Sequence, residues 1–517
     1  MARVWIGCAI GLGMIATSFA STTSGAAPFQ VVATSFAMTE PSTTPPELAD
    51  LRERWTQAMS ELGVPGLAVI VVRGNQVIYR ETLGYRDPEN KLPVTPDTMF
   101  YIASCTKSFV AMALMSLVDE GKVSLNAPVK TFLPRFAIVD AGLTETLTIR
   151  DLLSHAKGIN SDPIVTLDAY TGEITEDRYY RWLREATASG KFGYSNIHYT
   201  LAGRVIEAVT GRPWKDSLEE RIFKPAGMTR TTGYASKMYG NADCAIPCIR
   251  EDGKPVPAKV RKSDRVMHAA GGLGSSIDDL GRWLILNLNG GAIEGKRILS
   301  QAGVTQMQTT QSRGEVGGPP VPGRTREGYG LGWFAGAYKG KRVLDHGGGY
   351  IGTSAAIWFF PEARIGVAAV SNSDVPMSEV AVSDVSSRIL GLNAQDFLPK
   401  VRQYAESLAA KQRSRNEKFG PNPAVGDGLS LPPTEYAGMY ENPDWGTLRL
   451  EYKNNELTGQ WGDLTLRLGS TGKDQFAADM GTGEPDPGRF EITNNKVVAV
   501  ILKLSSEPLI EARFARP

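Results

Sequence analysis

The chain has 517 residues, more than one ordinary domain needs, with 42% hydrophobic and 21% charged residues, so it can bury a sizeable core. Its formal net charge of +1 provides no broad basic surface, which excludes a general nucleic-acid partner but not a local basic pocket. The N-terminus reads as a secretory signal. Arg3 supplies the positive charge, residues 5–20 form an apolar stretch interrupted by Gly7, Gly11 and Gly13, and small residues follow. Cleavage after Ala20 or Ala26 fits this pattern; the alternative is an uncleaved anchor. The run is short for a membrane span and no later segment is long and apolar enough, so no stable span is expected once the signal is removed. The Ser-, Thr-, Ala- and Pro-rich residues 27–46 read as a flexible tether.

Leu48, Leu51, Trp55, Met59 and Leu62 recur at three- and four-residue steps and predict an amphipathic helix stopped by Gly63. Residues 67–72 and 77–83 are β-branched and apolar around Arg73-Gly74-Asn75-Gln76, an antiparallel hairpin. A helix follows from near Ser104 to Gly121. Phe109, Val110, Met112, Ala113 and Leu117 make it almost continuously apolar, hence buried. A second hairpin is expected from residues 354–360 and 365–371 around Pro361-Glu362-Ala363. Strands at both ends with helices between predict an α+β domain with one antiparallel sheet flanked by helices. A short helix near 398–411 and a polar linker lead to alternating strands at 448–450, 464–468 and 496–504. Asn454-Asn455 and Asn494-Asn495 mark turns between them, so this end reads as a small β-barrel or sandwich.

Cys105, Cys244 and Cys248 remain after signal removal, and the last two are close enough for a small disulfide loop or stay as two free thiols. The four histidines, His155, His198, His268 and His346, are scattered without ligand spacing, so neither a metal nor another cofactor is expected.

A serine hydroxyl needs a base within hydrogen-bond reach to become a nucleophile. No Gly-x-Ser-x-Gly elbow is present, but a lysine three residues after a serine on one helix puts both on one face. Burial lowers the proton affinity of such a lysine. Ser-x-x-Lys occurs at Ser104/Lys107, Ser154/Lys157 and Ser470/Lys473. Only the first opens a long apolar helix, whose N-terminus favours developing negative charge. Gly158 interrupts the second and the third lies in a turn, so both are expected to be ordinary surface residues.

With these residues in hand, the chain resembles the class C β-lactamase and penicillin-binding-protein-like serine hydrolases. Three motifs stand in the family's order: Ser104-x-x-Lys107, Tyr194-Ser195-Asn196 and His346-Gly347-Gly348. Leu152-Leu153-Ser154-His155, Phe223 through Met228, Gly271-Gly272-Leu273 and Tyr329-Gly330-Leu331-Gly332-Trp333 support the match across residues 47–392. The tail, Tyr436-Ala437-Gly438-Met439-Tyr440, resembles the lipocalin-like domains appended to some members. The resemblance implies a β-lactamase/transpeptidase-like fold with a helical subdomain. It implies catalysis by Ser104, Lys107 and Tyr194, with Asn196, His346 and Gly348 at the substrate and the backbone N–H groups of Ser104 and Gly349 as oxyanion hole. Asn196 has a second reading, as the cap of the helix that follows.

Many β-lactamases carry lysine where His346 stands. A histidine is mostly neutral at pH 7, so it anchors a drug carboxylate poorly unless an arginine elsewhere in the cleft supplies the charge. The resemblance implies that His-x-Gly members include esterases and D-amino-acid-specific peptidases. An exported hydrolase of small esters, amides or D-amino-acid peptides, periplasmic or secreted, is therefore expected. A β-lactamase or D-Ala-D-Ala carboxypeptidase is the alternative, and a non-turnover penicillin-binding sensor or scaffold is a third. The expected organisation is a signal at 1–26, tether at 27–46, hydrolase domain at 47–392, linker at 393–431 and lipocalin-like β-domain at 432–517.

Overall fold

The computed structural model describes residues 44–251, 253–314, 321–393, 395–419, 428–481, 485–504 and 510–517. The expected signal, nearly all of the tether and residues 420–427 of the expected linker lie outside them.

The chain enters through a short turn at Pro46–Leu48, so Leu48 precedes the first helix, α1 (Leu51–Leu62), and does not begin it. Leu51, Trp55, Ala58, Met59 and Leu62 form its buried face. Gly63 ends it in the left-handed region at φ 65°, its N–H on the Met59 carbonyl. The hairpin β1 (Gly66–Arg73) and β2 (Gln76–Asp87) follows, as the sequence predicts. The second expected hairpin is β6 (Thr353–Phe360) and β7 (Ile365–Ser371). β1 pairs antiparallel with both β2 and β7, joining the two ends of the domain in one sheet. Three further strands extend that sheet: β3 (Arg324–Tyr329), β4 (Phe334–Tyr338) and β5 (Lys341–Tyr350). Nine strands run in the order Ser312–Arg313, β3, β4, β5, β6, β7, β1, β2, Leu92–Pro93.

Side chains alternate across the central strands and divide the interior into two cores. Ala68, Ile70 and Val72 of β1 join Ala355, Ile357 and Phe359 of β6 in the core that holds α2 (Thr106–Asp119), α3 (Asn196–Thr210) and α4 (Ile277–Leu288). Leu67, Val69 and Val71 join Ala356, Trp358 and Phe360 in the core that holds α1 and α5 (Met377–Ile389). Strands covered on both faces must read as continuous apolar runs, and β1 is buried throughout except at Arg73. Across the outer core, the Trp55 indole donates to Asp384 at 3.0 Å, pinning α1 to α5.

Residues 398–411 do form helix, but α6 spans Leu398–Phe419 and occupies much of the expected linker. Eight strands from Gly438–Asn442 to Ile510–Ala515 close into a barrel, with Glu441 opposite Ala515 at the seam. The barrel docks on the helical side of the domain built on the nine-stranded sheet. Trp182 packs its ring 4.8 Å from that of Trp445 and donates its indole N–H to the Asp444 carbonyl at 3.0 Å. Asp463 N–H donates to the Thr171 carbonyl at 2.7 Å, and the Ser263 hydroxyl donates to the Asp463 carboxylate. No helix among the described residues is long and apolar enough to cross a membrane.

Cys244 and Cys248 are free and buried, so the disulfide alternative does not hold. The residues between them are pinned elsewhere, Ala245 N–H on the Met99 carbonyl at 2.9 Å and Ile246 N–H on the Arg86 carbonyl at 2.7 Å. Their thiols turn to the carbonyls of Ala245 and Ile246 rather than to each other.

The docking contact can be measured. Trp182→Ala and Trp445→Ala should each cost about 3 kcal/mol of stability, the scale of emptying a large aromatic site. A double-mutant cycle followed by urea unfolding should give a coupling of about 1 kcal/mol, the usual worth of an aromatic pair. A coupling of zero would contradict the docked arrangement.

Candidate active site

α2 is buried on all sides from Thr106 to Leu117, and its N-terminal approach is a tight turn at Ala103–Cys105. Ala103 has φ 44°, a left-handed conformation that costs a non-glycine residue about 1–3 kcal/mol and that recurs at functional turns. This turn presents Ser104 at the positive end of a fourteen-residue helix. One turn further, Lys107 is 0% exposed. Its ammonium nitrogen lies 3.0 Å from Ser104 Oγ, 2.9 Å from Asn196 Oδ1 and 2.7 Å from the Ala270 carbonyl oxygen. Asn196 is the first residue of α3, where it holds Lys107. Ser195 occupies the cap position, so the cap reading of Asn196 does not hold.

The two oxygens can only accept, so each takes one N–H of Lys107. The remaining tetrahedral position faces Ser104. Burial lowers the Lys107 pKa to about 7 from the ordinary lysine value, with the Cys105 thiol acting weakly the other way. At neutral pH the amine is therefore unprotonated in a large fraction of molecules, with its lone pair directed at the Ser104 hydroxyl. This arrangement can accept a proton from Ser104 without any histidine.

Tyr194 is 38% exposed, and it lines the same cleft as Ser104. Its ring lies 4.9 Å from the Lys107 nitrogen and stacks on Phe334 at 5.5 Å. Desolvation pushes its phenol above the ordinary value, partly offset by a hydrogen bond with Ser104, so Tyr194 holds its proton at neutral pH.

The third motif lies on β5. The Cys105 thiol donates to the His346 carbonyl at 3.3 Å, which seats the strand against the Ala103–Cys105 turn. Gly348 is required there for space: a Cβ on it would lie 2.1 Å from the Ile102 carbonyl oxygen and 3.3 Å from Ser104 N. At Gly349 a Cβ would meet nothing within 4 Å, so this residue borders open cleft beside Ser104. His346 departs from the expected substrate contact. Its side chain is buried, bonded to the Tyr329 hydroxyl at 3.0 Å and to the Gly347 carbonyl at 2.8 Å, and does not line the cleft. Burial, reinforced by the Lys107 charge, lowers its pKa to about 3, so it is neutral across the working range.

Several residues of this region escape sequence reasoning. Ala270 acts through its carbonyl, which no side-chain pattern marks. His155, within the second Ser-x-x-Lys, is buried rather than on the surface. It packs 4.6 Å from the Tyr194 ring and accepts the Ser195 N–H at 3.3 Å. Ser154 is also buried, its hydroxyl on the Arg150 carbonyl at 2.8 Å, and is thereby occupied in its own helix turn. Arg326 lines the cleft over the Phe334 ring at 4.0 Å. Asp345 binds its guanidinium, and Arg324 bridges Asp345 and Glu379 at 3.2 Å each, so two arginines and two carboxylates neutralise one another. The cleft encloses about 1420 Å³, and one of its walls is α6, through Lys400, Val401, Gln403, Tyr404 and Ser407. No group of metal-ligating side chains occurs among the described residues.

Comparison with known proteins identifies the family. The Beta-lactamase family model matches residues 32–388. Protein flp of Staphylococcus aureus is 27% identical over 333 residues, 63% of this chain, and the alignment spans 63% of that protein's own length. The octameric penicillin-binding protein homologue from Pyrococcus abyssi superposes with TM-score 0.58 at 25% identity, covering 91% of this chain and 100% of that one. The D-amino acid amidase from Ochrobactrum anthropi SV3 bound to D-phenylalanine superposes with TM-score 0.54 at 25% identity, covering 66% of this chain and 99% of that one. With its fold, its motif order and a family match over most of its length, the chain belongs to the Beta-lactamase family of serine hydrolases.

Proposed function

We propose that the protein is an exported hydrolase that cleaves ester or amide bonds, D-amino-acid amides and peptides among them, through an acyl-enzyme on Ser104. The observation that carries this reading is the Lys107 amine, committed to two acceptor oxygens and directed at Ser104 Oγ from 3.0 Å. The D-amino acid amidase likeness supports the substrate class, and the N-terminal residues support export.

In the first half-reaction, neutral Lys107 takes the Ser104 proton as Oγ forms a bond to the acyl carbon. The carbonyl oxygen becomes anionic at the N–H groups of Ser104 and Gly349, with the α2 dipole behind it. Tyr194, which holds its proton, donates to the departing amine or alcohol and recovers a proton from Lys107 as the carbon–leaving-group bond breaks. Water then attacks the acyl-enzyme, gives its proton to the same pair, and Ser104 leaves reprotonated. Asn196 positions Lys107. His346 shapes the wall behind Tyr194 rather than binding substrate charge.

β-Lactam hydrolysis is the second reading, and the charge distribution disfavours it. His346 stays neutral, and the Arg326 guanidinium is already bound by Asp345. A chromogenic cephalosporin, a short-chain aryl ester and a D-alanine anilide, compared by kcat/KM at pH 7, should show ester or anilide turnover and weak or no cephalosporin turnover. All turnover should vanish in Ser104→Ala. A clear preference for the cephalosporin would reassign the substrate class, and a lasting adduct without turnover would favour a sensor.

The pH dependence follows from Lys107. Its protonated form cannot accept the Ser104 proton, and burial places the transition at about 7. For an uncharged ester, kcat/KM should fall about tenfold per pH unit below that point and level off above it. A profile flat from pH 5 to 8 would contradict Lys107 as the base.

A further inference from the structure

Among the cleft-lining residues, two charges, Asp374 and Lys400, have no assigned work in the acyl-transfer scheme. Asp374 lies between β7 and α5, in a loop held firmly from below. The buried Asn372 amide donates to the carbonyls of Tyr85, Arg86 and Ile246 at 3.2, 3.3 and 3.1 Å, and Ser373 Oγ accepts the Val375 N–H at 3.2 Å. Asp374 itself lines the same cleft as Ser104. Its Oδ1 is buried without any hydrogen-bond donor from the protein. A buried carboxylate oxygen gains free energy from a hydrogen-bond donor, which a group bound in the cleft can supply.

The surroundings specify what that group is. Burial raises the Asp374 pKa, and backbone N–H groups of Asp374 and Val375 act against this; no lysine or arginine is among the groups that do. Tyr404 of α6 lines the same cleft. A carboxylate in a cleft that also holds an aromatic ring suits an ammonium, through a charge-assisted hydrogen bond and a cation–π contact. An anion would be repelled, and a neutral group would leave the charge uncompensated. The cleft, at about 1420 Å³, exceeds the usual span of about 300–1,000 Å³ for a small-molecule site, leaving room for an acyl group longer than one residue.

We propose that Asp374, in the cleft that Tyr404 also lines, binds the free ammonium of the substrate's acyl portion, so that the preferred substrates are amino-acid or short-peptide derivatives with an unblocked N-terminus. This rests on the hydrolase reading for its chemical context. Lys400 lies one helical turn before Tyr404 on the same cleft wall, and is the competing partner for Asp374.

The test is binding without turnover. Ser104→Ala protein is titrated calorimetrically with D-alanine anilide and D-alanyl-D-alanine anilide, each beside its N-acetyl counterpart. The free-amine member of at least one pair should bind about tenfold or more tightly, and which pair does so fixes the depth of the site. Adding Asp374→Asn should abolish that preference, whereas adding Lys400→Ala should preserve it. Melting temperatures within a few degrees of the parent establish that the variants fold. Equal binding within both pairs, or a preference that survives Asp374→Asn, would overturn the proposal. If the Ser104 enzyme hydrolyses none of the four compounds, the hydrolase reading fails while the binding result still decides the role of Asp374.

Discussion

The arrangement depends on keeping one amine out of water. A lysine in solvent is protonated at neutral pH and useless as a base; the same lysine enclosed by α2, α3 and the Ala270 segment loses that proton readily. The continuous burial of α2 is therefore more than core filling. In the proposed scheme it is what lets Lys107 act as the base toward Ser104, and Asn196 and Ala270 satisfy the N–H groups that burial would otherwise orphan. Gly332 belongs to the same requirement, since a Cβ on it would lie 2.7 Å from the Ser108 backbone.

The sheet supplies the second half of the site from a distance. β1, β6 and β7 carry the two cores, and that stiffness lets β5 run beside the strained turn at Ala103. Gly348 permits the close approach, and the Cys105–His346 contact maintains it. The barrel and α6 then bring distant parts of the chain to this domain. The barrel packs around Trp182 and Thr171, whereas α6 contributes directly to the cleft wall.

Much of this was legible in the sequence because it obeys periodicity. The apolar run after Ser104, the two hairpins and the alternating strands of the tail each follow from residue spacing. β3 was not legible: Arg324, Arg326 and Glu327 hide a sheet strand, two of them held by ion pairs with Asp345 that only the folded chain creates. His346 looked like a substrate ligand from its motif position, but strand alternation turns it inward against Tyr329. The Asn196 side chain looked suited to capping, yet its bond goes to Lys107, 89 positions away in the chain. Such long-range pairings leave no local signature. The same is true of Asp374, an unremarkable loop aspartate until the orphaned oxygen and the cleft are both in view.

Three serines carry a lysine three residues on, and the account rests on burial of the lysine selecting one pair, Ser104 and Lys107. Covalent trapping tests that selection directly. The protein is incubated with a slowly deacylating aryl ester, quenched in acid, digested, and the added mass located by peptide mass spectrometry. The account predicts a single acyl adduct on the peptide containing Ser104, lost when Lys107 is replaced by alanine. An adduct on Ser154 or Ser470, or undiminished labelling of Ser104 without Lys107, would contradict it.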